Sequence, residues 1–372
     1  MKNLYCGISS KYIHTQPAGW FLAEYLKSKN IDVEEIYHNV NENYDNILND
    51  ILNQEVDILL LSVYIFNVNV VRLLINDLRK LQPQLTIIAG GPEVDSTIFA
   101  HHIIIGEGEK ALYDYLTKGS TLEQNQISNL DSLPSPYTKE RILASKGKLI
   151  YYESSRGCPF SCSYCMAGEE KGVRYFSIER VKSDLKRIVR YGAKIIKFTD
   201  RTFNANIKRA NLILQFIYST FRESGVCFHF EVGGDLFTED TLKILEKMPK
   251  GLIQMEAGVQ TLNEESLKAV NRVFNKAKFI HNITKIISYK NIHMHLDLIA
   301  GLPYDTQESF IQSFNEVMLL MPNMLQLGFL KFLKGTPIRE NYSACFQSEA
   351  PYEIISSPTM SSDFLSELKS ID

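Results

Sequence analysis

Two stretches of this chain alternate short apolar runs with amphipathic helical patterns, and that alternation limits the fold more than any other feature. Within residues 1–118, Leu4 to Ile8, Ile31 to Ile36, Asp57 to Leu61, Leu85 to Ala89 and Ile103 to Ile105 read as strands. Gly19 to Lys27, Tyr44 to Leu52 and Asn69 to Lys80 read as helices between them. Strands separated by helices pair in parallel, because the crossover returns each strand to the same end of the sheet. The first half is therefore expected to be an α/β domain of Rossmann-like (flavodoxin-like) type. Residues 119–148 are polar and turn-rich, with Pro134 and Pro136, and read as a linker. A second alternating stretch places strands at 149–154, 195–199, 227–232, 252–259, 292–299 and 325–330. Six βα units over 149–345 predict a partial (βα)6 barrel of TIM type, two units short of the usual eight. Residues 346–372 are left as a C-terminal tail or part of a truncated further domain.

Strand side chains alternate between faces. His293, His295 and Asp297 share one face, as do Gln254, Glu256, Gly258 and Gln260, and as do Cys227, His229 and Glu231. The opposite rows are apolar. Outer helices would cover the apolar rows, so the polar rows are expected to line the lumen. A polar lumen needs a polar occupant to satisfy it.

The strongest chemical signal is Arg156-Gly157-Cys158-Pro159-Phe160-Ser161-Cys162-Ser163-Tyr164-Cys165, a C-x3-C-x2-C turn directly after an apolar strand. Three such thiolates can hold three irons of a cubane cluster and leave the fourth open for chemistry. A zinc site lacking one ligand and a ferredoxin-like cluster with a distant fourth cysteine are the competing readings. The other cysteines, Cys6, Cys227 and Cys345, form no second Cys-x2-Cys pair, which disfavours a structural zinc knuckle. Cys158, Cys162 and Cys165 are thus taken as metal ligands.

Composition narrows the setting. The chain has 372 residues, 45% apolar and 22% charged, with a net charge of −3. That balance offers no electrostatic case for nucleic-acid binding. No apolar run of about 18 residues exists, so no membrane span is expected. Free thiols and an oxygen-sensitive cluster fit a reducing cytoplasm.

The cysteine turn resembles that of the radical SAM superfamily, in which C-x3-C-x2-C holds a [4Fe-4S] cluster and S-adenosyl-L-methionine (AdoMet) binds the open iron. The resemblance implies that Tyr164 contacts the adenine. It places Asp200, in Lys197-Phe198-Thr199-Asp200-Arg201, near the AdoMet amino group, although the usual Gly-Gly-Glu is missing. Met255-Glu256-Ala257-Gly258-Val259-Gln260, followed by Asn271-Arg272, is similar to the family's fourth strand and helix. Glu256, Gln260 and Arg272 then contact ribose and carboxylate. Gly301, in Asp297-Leu298-Ile299-Ala300-Gly301-Leu302-Pro303, would let the backbone approach the adenine. Asp305 and Glu308 read as a helix-capping pair.

The first half resembles the cobalamin-binding domain fused to many radical SAM proteins, on Gly90-Gly91-Pro92-Glu93, Gly106-Glu107 and Lys11-Tyr12-Ile13-His14. Tyr12, His14, Ser62, Gly90, Gly91, Pro92, Glu93, Gly106 and Glu107 are implied as cobalamin contacts. His14 lacks the aspartate and spacing of cobalt-ligating histidines, so the cobalt is expected to have no histidine below it. The resemblance implies AdoMet cleavage to a 5′-deoxyadenosyl radical and methyl transfer to an unactivated carbon. An external one-electron reductant such as flavodoxin or ferredoxin would be required. The alternatives are radical chemistry without methylation, such as rearrangement or sulfur insertion, and a non-catalytic Fe–S electron-transfer protein.

Overall fold

A computed structural model of the chain describes residues 1–119, 126–168 and 172–370. The chain divides into two compact units. The first comprises Met1–Tyr151 with Arg190–Ala193, and the second comprises the remainder.

In the first unit β1 (Asn3–Ser9), α1 (Pro17–Lys27), β2 (Val33–Asn39), α2 (Tyr44–Leu52), β3 (Ile58–Ser62), α3 (Val68–Leu81), β4 (Thr86–Gly90), β5 (His102–Ile104) and α4 (Gly108–Lys118) follow one another. The strands form one parallel sheet in the order β2-β1-β3-β4-β5. This is the flavodoxin-like order, which reverses direction between β1 and β3 and opens a crevice there. All five residues of β3, Ile-Leu-Leu-Leu-Ser, are buried, as expected for a strand covered on both faces.

β2 starts two residues later and ends three later than its apolar run suggests. Asn30 takes a left-handed φ of 62°, and the Ile31 amide donates to the carbonyl of Leu26 at 3.0 Å. Ile31 therefore belongs to the C-terminal exit of α1. The polar Tyr37-His38-Asn39 continues the strand because it pairs with Gly7-Ile8-Ser9 of β1.

Residues 126–148, read above as linker, pack into this unit. A short helix, α5 (Lys139–Ala144), starts at Thr138, whose hydroxyl accepts from the Arg141 amide. Leu130, Leu133, Tyr137 and Ile142 are buried. Arg141 reaches Glu24 at 2.9 Å and also pairs with Glu35. Residues 120–125 of that segment lie outside the described residues.

The second sheet begins with β6 (Ile150–Tyr152), which runs across the unit boundary. Then come β7 (Ser155–Arg156), β8 (Arg174–Tyr175), α6 (Ile178–Arg190), β9 (Ile195–Phe198), α7 (Ile207–Phe221), β10 (Cys227–Glu231), α8 (Glu239–Glu246), β11 (Ile253–Gln260), α9 (Glu264–Ala269), α10 (Lys276–Ser288), β12 (His293–Ala300), α11 (Gln307–Met318) and β13 (Met324–Phe329). The main sheet runs β13-β12-β11-β10-β9-β6, with β9 to β13 parallel. No pairing joins β13 to β6 among the described residues, so the barrel is open, with six strands in sequential order.

α12 (Pro337–Asn341), β14 (Cys345–Phe346), β15 (Ile354–Ser356) and α13 (Ser362–Lys369) end the described chain. They pack on the second unit. The Ile354 amide donates to Leu330 O at 2.9 Å, Phe346 stacks on Phe332 at 4.3 Å, and Phe364, Leu365 and Leu368 are buried. The segment read as a tail is thus part of this unit's core. The expected capping pair is replaced: Thr306 and Ser309 form a reciprocal capping box at α11, and the buried Asp305 accepts from the Ser309 hydroxyl.

Candidate active site

The cysteine turn is closed at its base. β7 pairs antiparallel with β8, Ser155 opposite Tyr175 and Arg156 opposite Arg174. Gly157 follows with φ 94°, and a β-carbon there would stand 2.3 Å from Gly172 O. Only glycine fits that crossing. Further along, the Ser163 amide donates to Val270 O at 2.9 Å, and Ser163 O accepts from the Ile338 amide at 3.0 Å. Asn271 Nδ2 donates to Ser161 Oγ at 2.6 Å. Contacts from the ends of α9 and α12 therefore hold the turn that carries Cys162 and Cys165.

Burial raises the Cys165 pKa above the usual thiol value, and the charges of Cys162 and Cys158 add to that rise. Among the described residues no three His, Cys, Asp or Glu side chains converge on a single metal ion. A cubane cluster would offer each of the three thiolates its own iron.

Above β11 a second group of side chains meets this turn. Arg272 places Nη1 3.3 Å from the Tyr164 hydroxyl and 4.0 Å from Cys162 Sγ, and it donates through Nη2 to Gly258 O. The Tyr164 pKa is raised by burial. Gln260 takes a left-handed φ of 70° beside an irregularity in the β11–β12 pairing. Its amide lies over Gly258, where an added β-carbon would clash with it at 2.0 Å. Two buried polar atoms here lack a hydrogen-bond partner, Gln260 Oε1 and Arg272 Nε. An unpaired buried acceptor and donor beside a strained residue suit a polar ligand that supplies both missing partners. AdoMet, with hydroxyls and a carboxylate, has the required chemistry.

Two residues carry structural tasks that the sequence does not show. Asp200 is 2% exposed, and three donors already hold its carboxylate: the Ser154 amide (3.1 Å), Ser154 Oγ (2.7 Å) and Ser155 Oγ (2.5 Å). Burial raises its pKa while these hydrogen bonds oppose the rise. It clamps the base of the cysteine turn through both carboxylate oxygens. Gly301, with φ 90°, faces Ile354, whose Cδ1 would lie 2.6 Å from an added β-carbon. Its missing side chain makes room for the C-terminal segment on that side.

The polar strand rows meet across the sheet at matched register. Lys197, His229, Gln254 and His293 occupy one level by register, and Glu231, Glu256 and His295 the next. Glu256 Oε2 lies 3.2 Å from His229 Nε2 and 3.1 Å from Lys197 Nζ, and Lys197 also reaches Glu231 at 3.6 Å. His295 Nε2 lies 3.1 Å from Asp297. The opposite rows, including Phe228, Phe230, Met255, Val259, Met294 and Leu296, are fully buried. Glu256 is held down to about 2 by His229, whose Nε2 stands 3.2 Å away, and by Lys197. Glu256 is therefore engaged within the lumen network. Glu231 is pushed up by burial, with Glu256 adding repulsion and Lys197 opposing it.

In the first unit the expected cobalamin residues gather at the carboxyl ends of the strands. Ser62 Oγ accepts from the Tyr5 hydroxyl at 2.9 Å. Gly91 has φ 115°, and a β-carbon there would meet Val63 O at 2.5 Å, so the loops after β3 and β4 touch only because it is glycine. Gly90 ends β4, Pro92 is exposed, and Glu93 is buried at 1%. Gly106 is exposed with φ 82°, while Glu107 accepts from the Ile127 amide at 2.9 Å. Tyr12 is 65% exposed. His14 Nδ1 lies 2.8 Å from the Tyr151 hydroxyl, with the two rings stacked. Sequence reading missed Tyr64 and Phe66, which stack at 5.3 Å with Phe66 exposed. The signal was an aromatic pair directly after Ser62. With Tyr12 and Ile105 these rings offer exposed apolar surface beside glycine loops, the features a flat corrin requires.

Family models match both halves, a B12 binding domain over residues 6–116 and the radical SAM superfamily over 152–317. An uncharacterized methyltransferase, PH0819 of Pyrococcus horikoshii, is 24% identical over 297 residues, covering 70% of this chain and 62% of that protein. The cobalamin-dependent radical SAM methyltransferase TokK of Streptomyces tokunonensis is 23% identical, covering 69% of this chain and 44% of that protein. This chain thus spans between 44% and 62% of these relatives' length. The radical S-adenosylmethionine methyltransferase TsrM from Kitasatospora setae, solved with cobalamin and a [4Fe-4S] cluster, superposes with a TM-score of 0.73 at 14% identity, covering 91% of this chain and 74% of that one. OxsB, a cobalamin-dependent S-adenosylmethionine radical enzyme, gives 0.72 at 16% identity, covering 100% and 66%. At such identities these structures establish a shared fold.

Proposed function

Because this chain belongs to the radical SAM superfamily, in the group that carries a B12-binding domain, we propose that it is a cobalamin-dependent radical SAM enzyme that transfers a methyl group to an unactivated carbon. In this reading Cys158, Cys162 and Cys165 hold a [4Fe-4S] cluster, and AdoMet binds at the open iron against Tyr164, Gln260 and Arg272. Once bound, these cofactors supply the electron, the adenosyl radical and the methyl carrier. The chain's own tasks are to hold the ligand, orient it and keep water away.

Gln260 Oε1 would accept a ribose hydroxyl and Arg272 would face the carboxylate. The Arg272 guanidinium has donors only and stays charged, which suits an anionic partner. Tyr164 offers its ring to the adenine. Cobalamin would lie on the surface formed by Tyr12, Ser62, Phe66, Gly90, Gly91 and Gly106, with His14 held by Tyr151. A flavodoxin or ferredoxin would deliver electrons, and a reducing cytoplasm would preserve the cluster. No helix of the described residues is long and apolar enough to cross a membrane.

The observation that carries this reading is the pair of unpartnered polar atoms, Gln260 Oε1 and Arg272 Nε, beside the cysteine turn. Anaerobic reconstitution with iron, sulfide, cobalamin and AdoMet tests it. We expect about four irons per chain, 5′-deoxyadenosine on reduction, and label passing from methyl-labelled AdoMet to cobalamin. A cluster-loaded sample that leaves AdoMet intact overturns the enzyme reading. Radical cleavage without label on cobalamin overturns methyl transfer alone.

A further inference from the structure

The loop after β9 is anchored on both sides of Thr202. Two residues before it, Asp200 binds Ser154 and Ser155 at the base of the cysteine turn. Two residues after it, the Asn204 side chain is paired twice with Gly233, donating to its carbonyl and accepting from its amide, both at 2.8 Å. Between these anchors Thr202 precedes the short helical turn Phe203–Ala205, where a threonine side chain ordinarily caps. It does not cap. Its Oγ1 lies 3.6 Å from Cys158 Sγ and 2.8 Å from Arg201 O.

A hydroxyl has one proton, free to rotate. A Cys158 thiol can donate to Oγ1 while Thr202 donates to Arg201 O. A cluster-bound Cys158 carries no proton, so only the hydroxyl can then supply one, by rotation about Cβ–Oγ1 with no heavy atom moving. We infer that Thr202 donates a hydrogen bond to the cluster-ligating sulfur of Cys158 and thereby raises the reduction potential of the cluster. This inference rests on the cluster reading above. Donors to cluster sulfurs favour the reduced state because it carries one more negative charge. The step affected is addition of one electron from a low-potential donor of the flavodoxin or ferredoxin class, taking the cluster from the 2+ to the 1+ state. No bond breaks and no proton is consumed in that step. Thr202 is a positioning residue for this electron, not a catalytic one.

The test is an EPR-monitored redox titration of the full chain, reconstituted without AdoMet, in wild type, Thr202→Val and Thr202→Ser. With iron content equal, T202V should titrate at a more negative potential while T202S stays near wild type. The expected size is a tenfold lower ratio of reduced to oxidised cluster at a fixed applied potential, about 59 mV for one electron. An unchanged midpoint in loaded T202V overturns the inference. If T202V fails to load, Thr202→Ala replaces it under the same criterion. Failure of both to load while T202S loads also overturns it, by assigning the hydroxyl to assembly. Failure of wild type to take up a cluster instead overturns the cluster reading itself.

Discussion

His229 Nε2 lies 3.2 Å from Glu256 Oε2, the same carboxylate oxygen that Lys197 Nζ reaches at 3.1 Å, across two neighbouring strands of the open barrel. The contact keeps Glu256 ionised well into the acid range, at about 2 against an ordinary 4.5. A carboxylate depressed by folding adds stability above its unfolded value, and that stability is lost as pH falls through the folded value. Glu256 should contribute about 3 kcal/mol at neutral pH, disappearing between roughly pH 4.5 and 2. Urea unfolding of wild type and Glu256→Gln at pH 7 and pH 3 measures this. The variant should lose most of the difference between the two pH values.

The Asp200 clamp gives a second expectation. Removing a buried carboxylate that holds three donors leaves Ser154 and Ser155 without partners. Asp200→Ala should destabilise the chain by about 3 kcal/mol and lower iron uptake in reconstitution. Full iron loading with unchanged AdoMet affinity would show that the clamp is dispensable.

Gly301 and Ile354 form a pair that can be tested by a double-mutant cycle. Gly301→Ala meets Ile354 Cδ1 at 2.6 Å and also places a side chain at φ 90°. Combining it with Ile354→Ala should remove the clash, leaving a backbone cost of about 1–2 kcal/mol plus the cavity cost of the second substitution. Thermal denaturation of the four proteins isolates the coupling. Strict additivity would mean that the two residues do not compete for the same space.

Arg141 gives a prediction for the first unit. Its side chain is 13% exposed between Glu24 and Glu35. Arg141→Ala strands two partly buried carboxylates and should cost about 3 kcal/mol. A loss much smaller than this, read by denaturant unfolding, would mean that water replaces the guanidinium at low cost.

Much of the architecture is legible from local pattern. Leu4 to Ile8 and Ile58 to Leu61 announce buried strands by their apolar runs, and the alternation of 253–260 foretells one polar and one covered face. Gly157 sits where the chain must cross itself, and the cysteine spacing survives as a single closed turn. Less legible were the residues whose task depends on a distant partner. The segment 126–148 is polar and proline-containing, yet Leu130, Leu133, Tyr137 and Ile142 bury themselves in the first unit. Tyr64 and Phe66 drew no reading from the sequence, and their stacked rings, Phe66 exposed, are visible only in the fold.

By itself, the sequence determined two successive α/β units, the polar lumen and a three-thiol turn, because strand and helix periodicity and ligand spacing are set by neighbours along the chain. Only the tertiary structure decided that Asp200 clamps Ser154 and Ser155, that Glu256 is claimed by His229 and Lys197, and that Gly301 makes room for Ile354. Each of those choices is a competition among groups tens of residues apart. A carboxylate or a glycine looks the same in the sequence whichever partner wins; burial and register decide which contact forms.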